Sequence, residues 1–266
     1  MRLSRRELMG LWSLGLATVV SGCSDALSPR PTGAPLAPPA RGVSPSPAVA
    51  VPVAHPGPPV VVTAGPPGTR TIALTIDDGY DAATVAAYVE FARRTGTHLT
   101  FSPNGSYAAQ WAPHASALRP LIEAGAVQIG NHTFSHPDLR RLSDGQIRAE
   151  IERNEEWVRQ TFATSTLRWF RPPYGAHDPR TDEVAGGLGF TRILLWNGSF
   201  GDSRLLSPDV LLSQARRYLT AGTVMLGHAN HPTITGLFGS VLELLRERDL
   251  RPVTLDEMFG TRRGAA

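Results

Sequence analysis

Residues 72–79 read IALTIDDG, an apolar run that ends in two aspartates and a glycine. This composition predicts a buried β-strand, and Gly79 permits a sharp turn directly after it. Neighbouring strand residues point to opposite faces, but such a turn can bring the carboxylates of both Asp77 and Asp78 to the rim. Most Asp-Asp-Gly triplets are turns or helix caps, so this one indicates a functional site only together with other clusters.

From residue 70 onward, strand-like and helix-like segments alternate. Regular alternation predicts a mostly parallel sheet with helices outside it. The repeated units favour an α/β fold in the form of a deformed, incomplete (β/α)7 barrel, although periodicity alone does not separate a barrel from an open sheet. We predict strands at residues 71–77, 98–101, 126–130, 167–171, 191–196, 223–228 and near 252–253. We predict helices at residues 82–94, 116–124, 143–162, 178–188, 207–219 and 233–248, before a short terminal helix.

Three of these helices begin with residues of known capping chemistry. Ser143 and Thr254 are each followed three residues later by a Gln or a Glu, which fits a capping box. Ser207 is an N-cap candidate, and Pro208 suits the first helical position. These signatures support the helix boundaries that the hydrophobic pattern predicts.

Two histidines follow the third predicted strand, where residues 131–136 read NHTFSH. On a helical turn, this spacing would place the imidazoles of His132 and His136 about 5–6 Å apart on one side, suitable for one metal ion. A bare pair of this kind is more often two surface or capping histidines. An aspartate from the first cluster would complete a three-ligand site with a position left open for water, which is typical of catalytic metals.

Three further clusters also follow predicted strands. Residues 171–175 read RPPYG, a rigid segment because two prolines fix two φ angles. Residues 226–228 read LGH, and the weaker run at residues 196–202 reads WNGSFGD. Each of these alone is commonly a turn or a structural histidine. A barrel gathers strand-end residues into one cleft, so together they indicate an active site.

Composition and charge restrict the possible partners. The chain has 266 residues, of which 41% are hydrophobic, enough for one α/β domain with a core. All 26 basic residues are arginines, and the net charge is +3. That excess lies before residue 70, since the remainder has 21 arginines and 21 acidic residues. The folded part therefore carries no basic excess for a phosphate backbone, and we expect no nucleic-acid partner.

The first 23 residues read as an export signal. Three arginines precede a short apolar run, too short to span a bilayer, that ends in VSGC at residues 20–23. Small residues before Cys23, the only cysteine, resemble a bacterial lipobox, and Ser4-Arg5-Arg6 weakly resembles a twin-arginine signal. An ordinary signal peptide with a chance cysteine is the alternative. We expect lipidation of Cys23, and hence an exported protein anchored to the outer face of the bacterial membrane.

Residues 24–69 predict a linker, because residues 24–70 hold 13 of the 23 prolines and few apolar residues that could form a core. One reservation is the segment PVVVT at residues 59–63, which could instead add an edge strand to the domain. The predicted organisation is therefore a signal at 1–23, a linker at 24–69, a catalytic domain at 70–260 and a tail at 261–266. We expect a monomer.

These clusters together resemble the polysaccharide deacetylases, carbohydrate esterase family 4, over about residues 70–259. The resemblance rests on TIDDG at 75–79, IGNHTFSHP at 129–137, RPPYG at 171–175 and LGH at 226–228. It implies a deformed barrel of about seven strands. It also implies that Asp78, His132 and His136 bind one divalent ion, zinc or alternatively cobalt.

The resemblance further assigns catalytic roles. It implies that Asp77 takes a proton from the attacking water and that Arg171 pairs with Asp77 and keeps it ionised. It implies that the ion and the backbone N–H of Tyr174 stabilise the oxyanion, and that His228 protonates the leaving amine. Trp196 and Leu226 would form the walls of the acetyl pocket.

The match departs from the family pattern in three places. In the run after Trp196, Asp202 remains as the acid that would tune His228, but Ser203 stands where a tryptophan is expected. After His228, the segment Ala229-Asn230-His231 replaces an expected Asp, and His231 is a stray ligand or a surface histidine. Residues 98–105, HLTFSPNG, lack the family's aromatic-rich form. These departures predict a shallower or differently shaped sugar pocket.

The function expected is a metal-dependent N-deacetylase that acts on a cell-envelope polysaccharide, either peptidoglycan or a chitin-like N-acetylglucosamine polymer. An O-acetyl esterase on xylan would use the same residues. A glycan-binding lipoprotein without turnover is a different class, and an intact proton-transfer set argues against it. A structural or storage zinc site would instead hold its ion with four protein ligands.

Overall fold

The computed structural model describes residues 58–261, so Cys23, the export signal and most of the expected linker lie outside the described residues. The strands are β1 (Val60–Val62), β2 (Thr71–Asp78), β3 (Leu99–Pro103), β4 (Val127–Ile129), β5 (Trp169–Phe170), β6 (Arg192–Leu194), β7 (Gly198–Ser199), β8 (Val224–His228) and β9 (Arg251–Val253). The α-helices are α1 (Ala82–Thr95), α2 (Ala108–Trp111), α3 (Ala115–Glu123), α4 (Asp144–Phe162), α5 (Pro179–Gly187), α6 (Pro208–Tyr218), α7 (Phe238–Glu247) and α8 (Leu255–Met258).

The strands form an open barrel. One sheet has the order β4-β3-β2-β8-β7 with β9 beside β2, the other has the order β1-β6-β5, and all these pairs are parallel. A parallel bridge between Asn131 and Phe170 joins the β4 side to β5. The arc from β7 through β2 to β6 thus contains seven strands and stays open between β6 and β7, which share no ladder in the described chain. This confirms the predicted α/β fold with an incomplete barrel.

Strand β2 is the central strand, and its position explains its apolar sequence. It pairs with β3, β8 and β9, and Ile72, Leu74 and Ile76 are fully or almost fully buried. A strand covered on both faces reads as a continuous apolar run rather than an alternating one. The register with β8 places Asp77 beside His228 at the carboxyl ends of both strands. The fold therefore brings the first and last sequence clusters together.

The capping predictions for α4 and α8 are confirmed, because Ser143 and Thr254 each begin a complete capping box. At α6, Ser207 occupies the N-cap position and Pro208 the first turn, but the Ser207 side chain makes no capping hydrogen bond. The predicted helix at residues 233–248 is too long, since Pro232–Leu237 form a 3₁₀ segment before α7 begins. The expected strand ends otherwise agree with the structure to within a few residues.

The folded unit begins before residue 70. Strand β1 lies inside the segment predicted as linker and pairs with β6, which is the alternative that the sequence left open. Val62 is buried, whereas Val60 and Val61 are exposed, as expected for an edge strand. Strand β1 thus begins about ten residues before the domain start that the sequence predicts at residue 70. Among residues 58–261, we find no helix with the length and apolar character needed to cross a membrane.

Candidate functional site

Asp78, His132 and His136 form a cluster at the carboxyl end of the barrel. Each offers one ligand atom, and these atoms all lie within 4.8 Å of one another. The Nε2 atoms of His132 and His136 are each 3.5 Å from Asp78 Oδ1. Asp78 Oδ1 is buried and receives no hydrogen bond from the residues that the structure describes. A buried carboxylate oxygen of this kind, facing two imidazole nitrogens, fits a divalent cation, and the donor set suits zinc with one position open.

The electrostatics of the cluster also favour a cation. Burial lowers the pKa of His136 to about 4, with a further contribution from the charge of His132, so His136 is neutral at ordinary pH. Burial would also lower the pKa of His132, but the charges of Asp77 and Asp78 outweigh it and raise that pKa. Burial would raise the pKa of Asp78, but the nearby imidazole of His132 and the charges of His136 and His228 lower it overall. The carboxylates therefore attract a proton to His132 that a metal ion must displace.

The loop that carries both histidines is not helical, so the geometric reason given for their spacing is wrong. Thr133 and His136 have φ angles of 66° and 60°, in the left-handed region. The amide of Thr133 donates to Asn131 Oδ1, and the amide of His136 donates to Thr133 Oγ1. These bonds shape a tight loop in which the centroids of the two imidazole rings lie 4.8 Å apart. The two histidines converge through this loop rather than through a helical repeat.

A buried asparagine directly after β3, Asn104, holds this loop by hydrogen bonds. Asn104 is fully buried, and its Nδ2 donates to the carbonyl oxygens of His132 at 2.6 Å and Thr133 at 3.0 Å. Asn154 of α4, also fully buried, donates to Pro103 O and accepts from the amide of Gly105. Sequence reasoning treated residues 98–105 only as a departure from the family. A sequence signal for Asn104 did exist, because it is a polar residue directly after an apolar strand. The ends of such strands face the site.

Asn230 orients the carboxylate of Asp78. Its Nδ2 donates to Asp78 Oδ2 at 2.7 Å, and its Oδ1 accepts from the amide of Gly79 at 3.1 Å. Asp78 itself has a φ of 66°, and its carbonyl accepts from the indole N–H of Trp111. A Cβ at Gly79 would lie 2.1 Å from that indole nitrogen, so only glycine fits there. The sequence analysis interpreted Asn230 as a departure from the family pattern. In the structure, Asn230 instead orients the carboxylate of Asp78.

Asp77 and Arg171 form a buried ion pair beside the cluster. Arg171 is 1% exposed, and its Nη1 donates to Asp77 Oδ1 at 2.8 Å and to Thr75 Oγ1 at 2.9 Å. The other carboxylate oxygen of Asp77 lies 3.7 Å from His132 Nε2. The carbonyl oxygen of Arg171 lies 2.7 Å from His132 Nδ1. One arginine therefore fixes Asp77 with its side chain and orients His132 with its backbone.

His228 and Asp202 form a second pair at the cleft. Asp202 is buried, and its Oδ1 lies 2.9 Å from His228 Nδ1, while its Oδ2 accepts from the His228 amide at 3.1 Å. Burial would lower the pKa of His228, but the hydrogen bond and charge of Asp202 raise it overall. With Nδ1 bonded to the carboxylate, Nε2 is the ring nitrogen left for a substrate. This arrangement is suited to a proton donor.

The remaining site residues line one cleft of about 420 Å³. Tyr174, Trp196, Leu226 and Ser203 all lie on its wall, together with the ligand cluster. Tyr174 has a φ of 61°, and its ring centroid lies 4.5 Å from that of His136. All the catalytic, pocket and metal residues expected from the sequence within 58–261 are therefore found in or directly behind one cleft.

Three other described histidines have different partners. His98 pairs with Glu257, and His177 pairs with Asp182. His231 contacts Tyr80 and is not among the three candidate ligands.

Backbone strain is concentrated at the site. Within residues 58–261, seven non-glycine residues have positive φ, and four of them are Asp78, Thr133, His136 and Tyr174. Such conformations cost about 1–3 kcal/mol each and persist where the surrounding contacts enforce them. The arrangement of the cleft therefore lowers the stability of the folded protein.

The sequence is similar to those of known proteins. The model of the polysaccharide deacetylase family matches residues 64–193. An uncharacterized protein of Streptomyces coelicolor is 30% identical over 188 residues, which cover 69% of this chain and 70% of that protein. The peptidoglycan-N-acetylglucosamine deacetylase PgdA of Listeria monocytogenes is 25% identical over 193 residues, covering 72% of this chain. That match covers 39% of the Listeria protein, so the chain spans about two fifths of its length.

Solved structures share the fold. The Bc1960 peptidoglycan N-acetylglucosamine deacetylase has a TM-score of 0.68 at 25% identity, covering 76% of this chain and 94% of that chain. A carbohydrate esterase family 4 pseudoenzyme from Bacillus anthracis also has a TM-score of 0.68, at 21% identity, covering 77% of this chain and 70% of that chain. The chain belongs to the polysaccharide deacetylase family.

Proposed function

We propose that the protein is a metal-dependent hydrolase that removes N-acetyl groups from a cell-envelope glycan containing N-acetylglucosamine. The observation that carries this proposal is the grouping of Asp78, His132 and His136 between a carboxylate, Asp77, and an imidazole, His228, in one cleft. A cluster of metal ligands alone would be sufficient only for binding. A proton acceptor and a proton donor on neighbouring strands support hydrolysis of an amide.

The first half of the reaction uses Asp77. The cation, when bound, supplies Lewis acidity that polarises the acetamide carbonyl and makes the attacking water more acidic. Asp77 accepts the proton from that water, because Arg171 occupies one of its carboxylate oxygens and leaves the other facing the ligand cluster. The backbone N–H of Tyr174 donates a hydrogen bond to the carbonyl oxygen as negative charge develops on it.

The second half uses His228. The C–N bond breaks only if the sugar nitrogen leaves as an amine, which requires a proton. His228 donates that proton from Nε2, and Asp202 stabilises its protonated form through Nδ1. Trp196 and Leu226 lie on the cleft wall, where they pack against the acetyl methyl. The products are acetate and a free glucosamine amine.

Peptidoglycan is the preferred substrate within this class. Named relatives that deacetylate peptidoglycan N-acetylglucosamine support it, as does the export signal expected at the N-terminus. An O-acetyl esterase on xylan would use the same residues, and turnover of esters without amides would favour it. The glycan-binding alternative is less favoured, because binding alone needs neither Asp77 with Arg171 nor His228 with Asp202.

Acetate release tests this proposal. Purified peptidoglycan and chitin oligomers are incubated with the zinc-loaded protein, with and without chelator, and acetate is measured. We expect release that chelator abolishes, and none from the variants Asp77→Asn and His132→Ala. Full release by either variant contradicts the mechanism, and no release by the wild-type protein from any glycan favours the binding alternative.

We also propose that Cys23 carries a lipid that anchors the protein to the outer face of the membrane. A small-residue lipobox before the single cysteine supports this, and a proline-rich segment follows it as a spacer. Mass spectrometry of the protein from its native membrane should show an acylated Cys23. An unmodified, freely soluble product contradicts the anchor but leaves the proposed chemistry untouched.

A further inference from the structure

A cluster of arginines lies at the amino end of the barrel, away from the cleft. Its members are Arg70, Arg216, Arg217, Arg246, Arg248 and Arg251, and the segments that carry them (residues 70, 216–222 and 246–251) contain only two acidic residues, Glu247 and Asp249. The rest of the chain from residue 70 onward has 15 arginines and 19 acidic residues. A domain without net charge therefore has its positive charge concentrated on one part of its surface.

The topology fixes the position of this arginine cluster. Arg70 directly precedes β2, and Arg251 is the first residue of β9, which pairs with the start of β2. Arg216 and Arg217 lie in the last turn of α6, shortly before β8 begins. The cleft lies at the other end of β2, and an eight-residue strand is roughly 25 Å long. The arginine cluster and the cleft therefore lie at opposite ends of the barrel.

Hydrogen bonds join four of the arginines into one surface. Arg248 donates from Nη1 to Leu219 O and from Nη2 to Arg216 O, each at 2.7 Å. Arg70 Nη2 donates to Arg248 O at 3.2 Å, and the Arg70 carbonyl accepts from the amide of Arg251 at 2.8 Å. Arg70, Arg216 and Arg248 line one cavity of about 470 Å³. Two guanidinium groups at this cavity are thus held in place before any ligand binds.

Three members of the arginine cluster have no acidic partner. Arg216, Arg217 and Arg251 are exposed, and none of them forms an ion pair with a residue in the described range. Asp249, in contrast, pairs with Arg70 at 2.9 Å. Basic residues in the last turn of a helix stabilise its dipole, which accounts for two of the three but not for Arg251 on a strand. The surface therefore offers positive charge to an anionic partner.

The described part of the chain begins at this same end of the barrel. Val60, the first residue of β1, pairs with Arg192, the first residue of β6, in a parallel ladder. Residues 24–57 separate β1 and the two residues before it from Cys23, and they can span at most about 120 Å. A lipid on Cys23 would therefore keep the arginine cluster within reach of the membrane surface. Such a tether raises the effective concentration of the surface, so that weak binding is sufficient.

We propose that the arginine cluster binds the headgroups of anionic phospholipids, so that the amino end of the barrel lies against the membrane and the cleft faces away from it. The choice of a lipid partner rests on the anchor proposed at Cys23, whereas the proposed hydrolysis has no part in it. Guanidinium groups bind phosphate through parallel N–H donors. The cavity between Arg70, Arg216 and Arg248 is large enough for a headgroup phosphate.

The test measures binding to lipid vesicles by sedimentation. The chain from Ser24 onward carries no lipid and retains all of residues 58–261, which form the fold. It is mixed with vesicles of phosphatidylcholine, or of phosphatidylcholine and phosphatidylglycerol in equal parts, and we expect binding only to the second. The triple variant Arg216→Gln, Arg217→Gln, Arg251→Gln should bind about 100-fold more weakly, because each arginine near an anionic surface contributes about fivefold.

The matched control removes three charges at the carboxyl end of the barrel. Arg141, Arg148 and Arg204 are exposed and lie in segments that follow β4 and β7, so their change to glutamine gives the same net charge and should leave vesicle binding nearly unchanged. Both triple variants should unfold at the urea concentration of the wild-type protein. An equal loss in both variants, wild-type binding by the first variant, or equal binding to neutral vesicles overturns the proposal. Binding to soluble polyphosphate without binding to anionic vesicles overturns it as well.

Discussion

Replacing Arg171 by methionine should destabilise the metal-free protein severely. Arg171 and Asp77 are 1% and 2% exposed, and their charged groups lie 2.8 Å apart. Removal of one partner leaves a buried charge without compensation, which costs about 3–5 kcal/mol. For a domain of this size, that corresponds to a fall in Tm of roughly 6–20 °C. Urea denaturation in the presence of chelator measures the loss.

The double variant Arg171→Met with Asp77→Asn separates the charge effect from lost hydrogen bonds. Asparagine removes the uncompensated charge, so we expect the double variant to recover about 2 kcal/mol relative to Arg171→Met. Full recovery is not expected, because Arg171 also donates to Thr75 Oγ1 and Leu195 O. As a control, Arg93→Met removes an exposed ion pair with Glu90 and should have no measurable effect. A double variant as unstable as Arg171→Met would refute the buried-pair reasoning.

Three further predictions concern the metal and the proton donor. Asn104→Ala should weaken zinc binding about 10–100-fold in a chelator competition, because the histidine loop loses its buried support, whereas Val241→Ala in α7 should not. Zinc affinity should fall as the pH decreases, because the raised pKa of His132 makes protons compete with the metal, and calorimetry in two buffers should detect proton release. A pH-independent affinity would contradict this. Activity should fall at alkaline pH as His228 loses its proton, and Asp202→Asn should move that fall to lower pH in a pH–rate profile.

Much of the fold could be predicted from the sequence, because its signals were local. The apolar run of β2 and the capping residues of α4 and α8 depend on near neighbours in the chain. The short strand β7 was missed as a separate element, since two residues carry no periodicity. Strand β1 was left open because its partner β6 is distant in sequence and the prolines before it, Pro58 and Pro59, resemble those of a linker.

The candidate site was predictable where residue types carry the chemistry. The three expected ligands converge, but through left-handed residues at Thr133 and His136 that no spacing rule indicates. The supporting asparagines were not predicted, because their importance depends on which carbonyl or carboxylate they meet in space. Asn230 illustrates this, since it was read as a departure from the family and in the structure bonds to Asp78.

The most direct test of the central claim is a crystal structure of the zinc-loaded protein with anomalous data collected at the zinc edge. We expect one strong peak per molecule in the cleft, about 2.0–2.2 Å from Asp78 Oδ1 and from Nε2 of His132 and His136, with a fourth position not filled by the protein. A peak elsewhere, an ion closed by four protein ligands, or an empty cleft at saturating zinc would contradict the account.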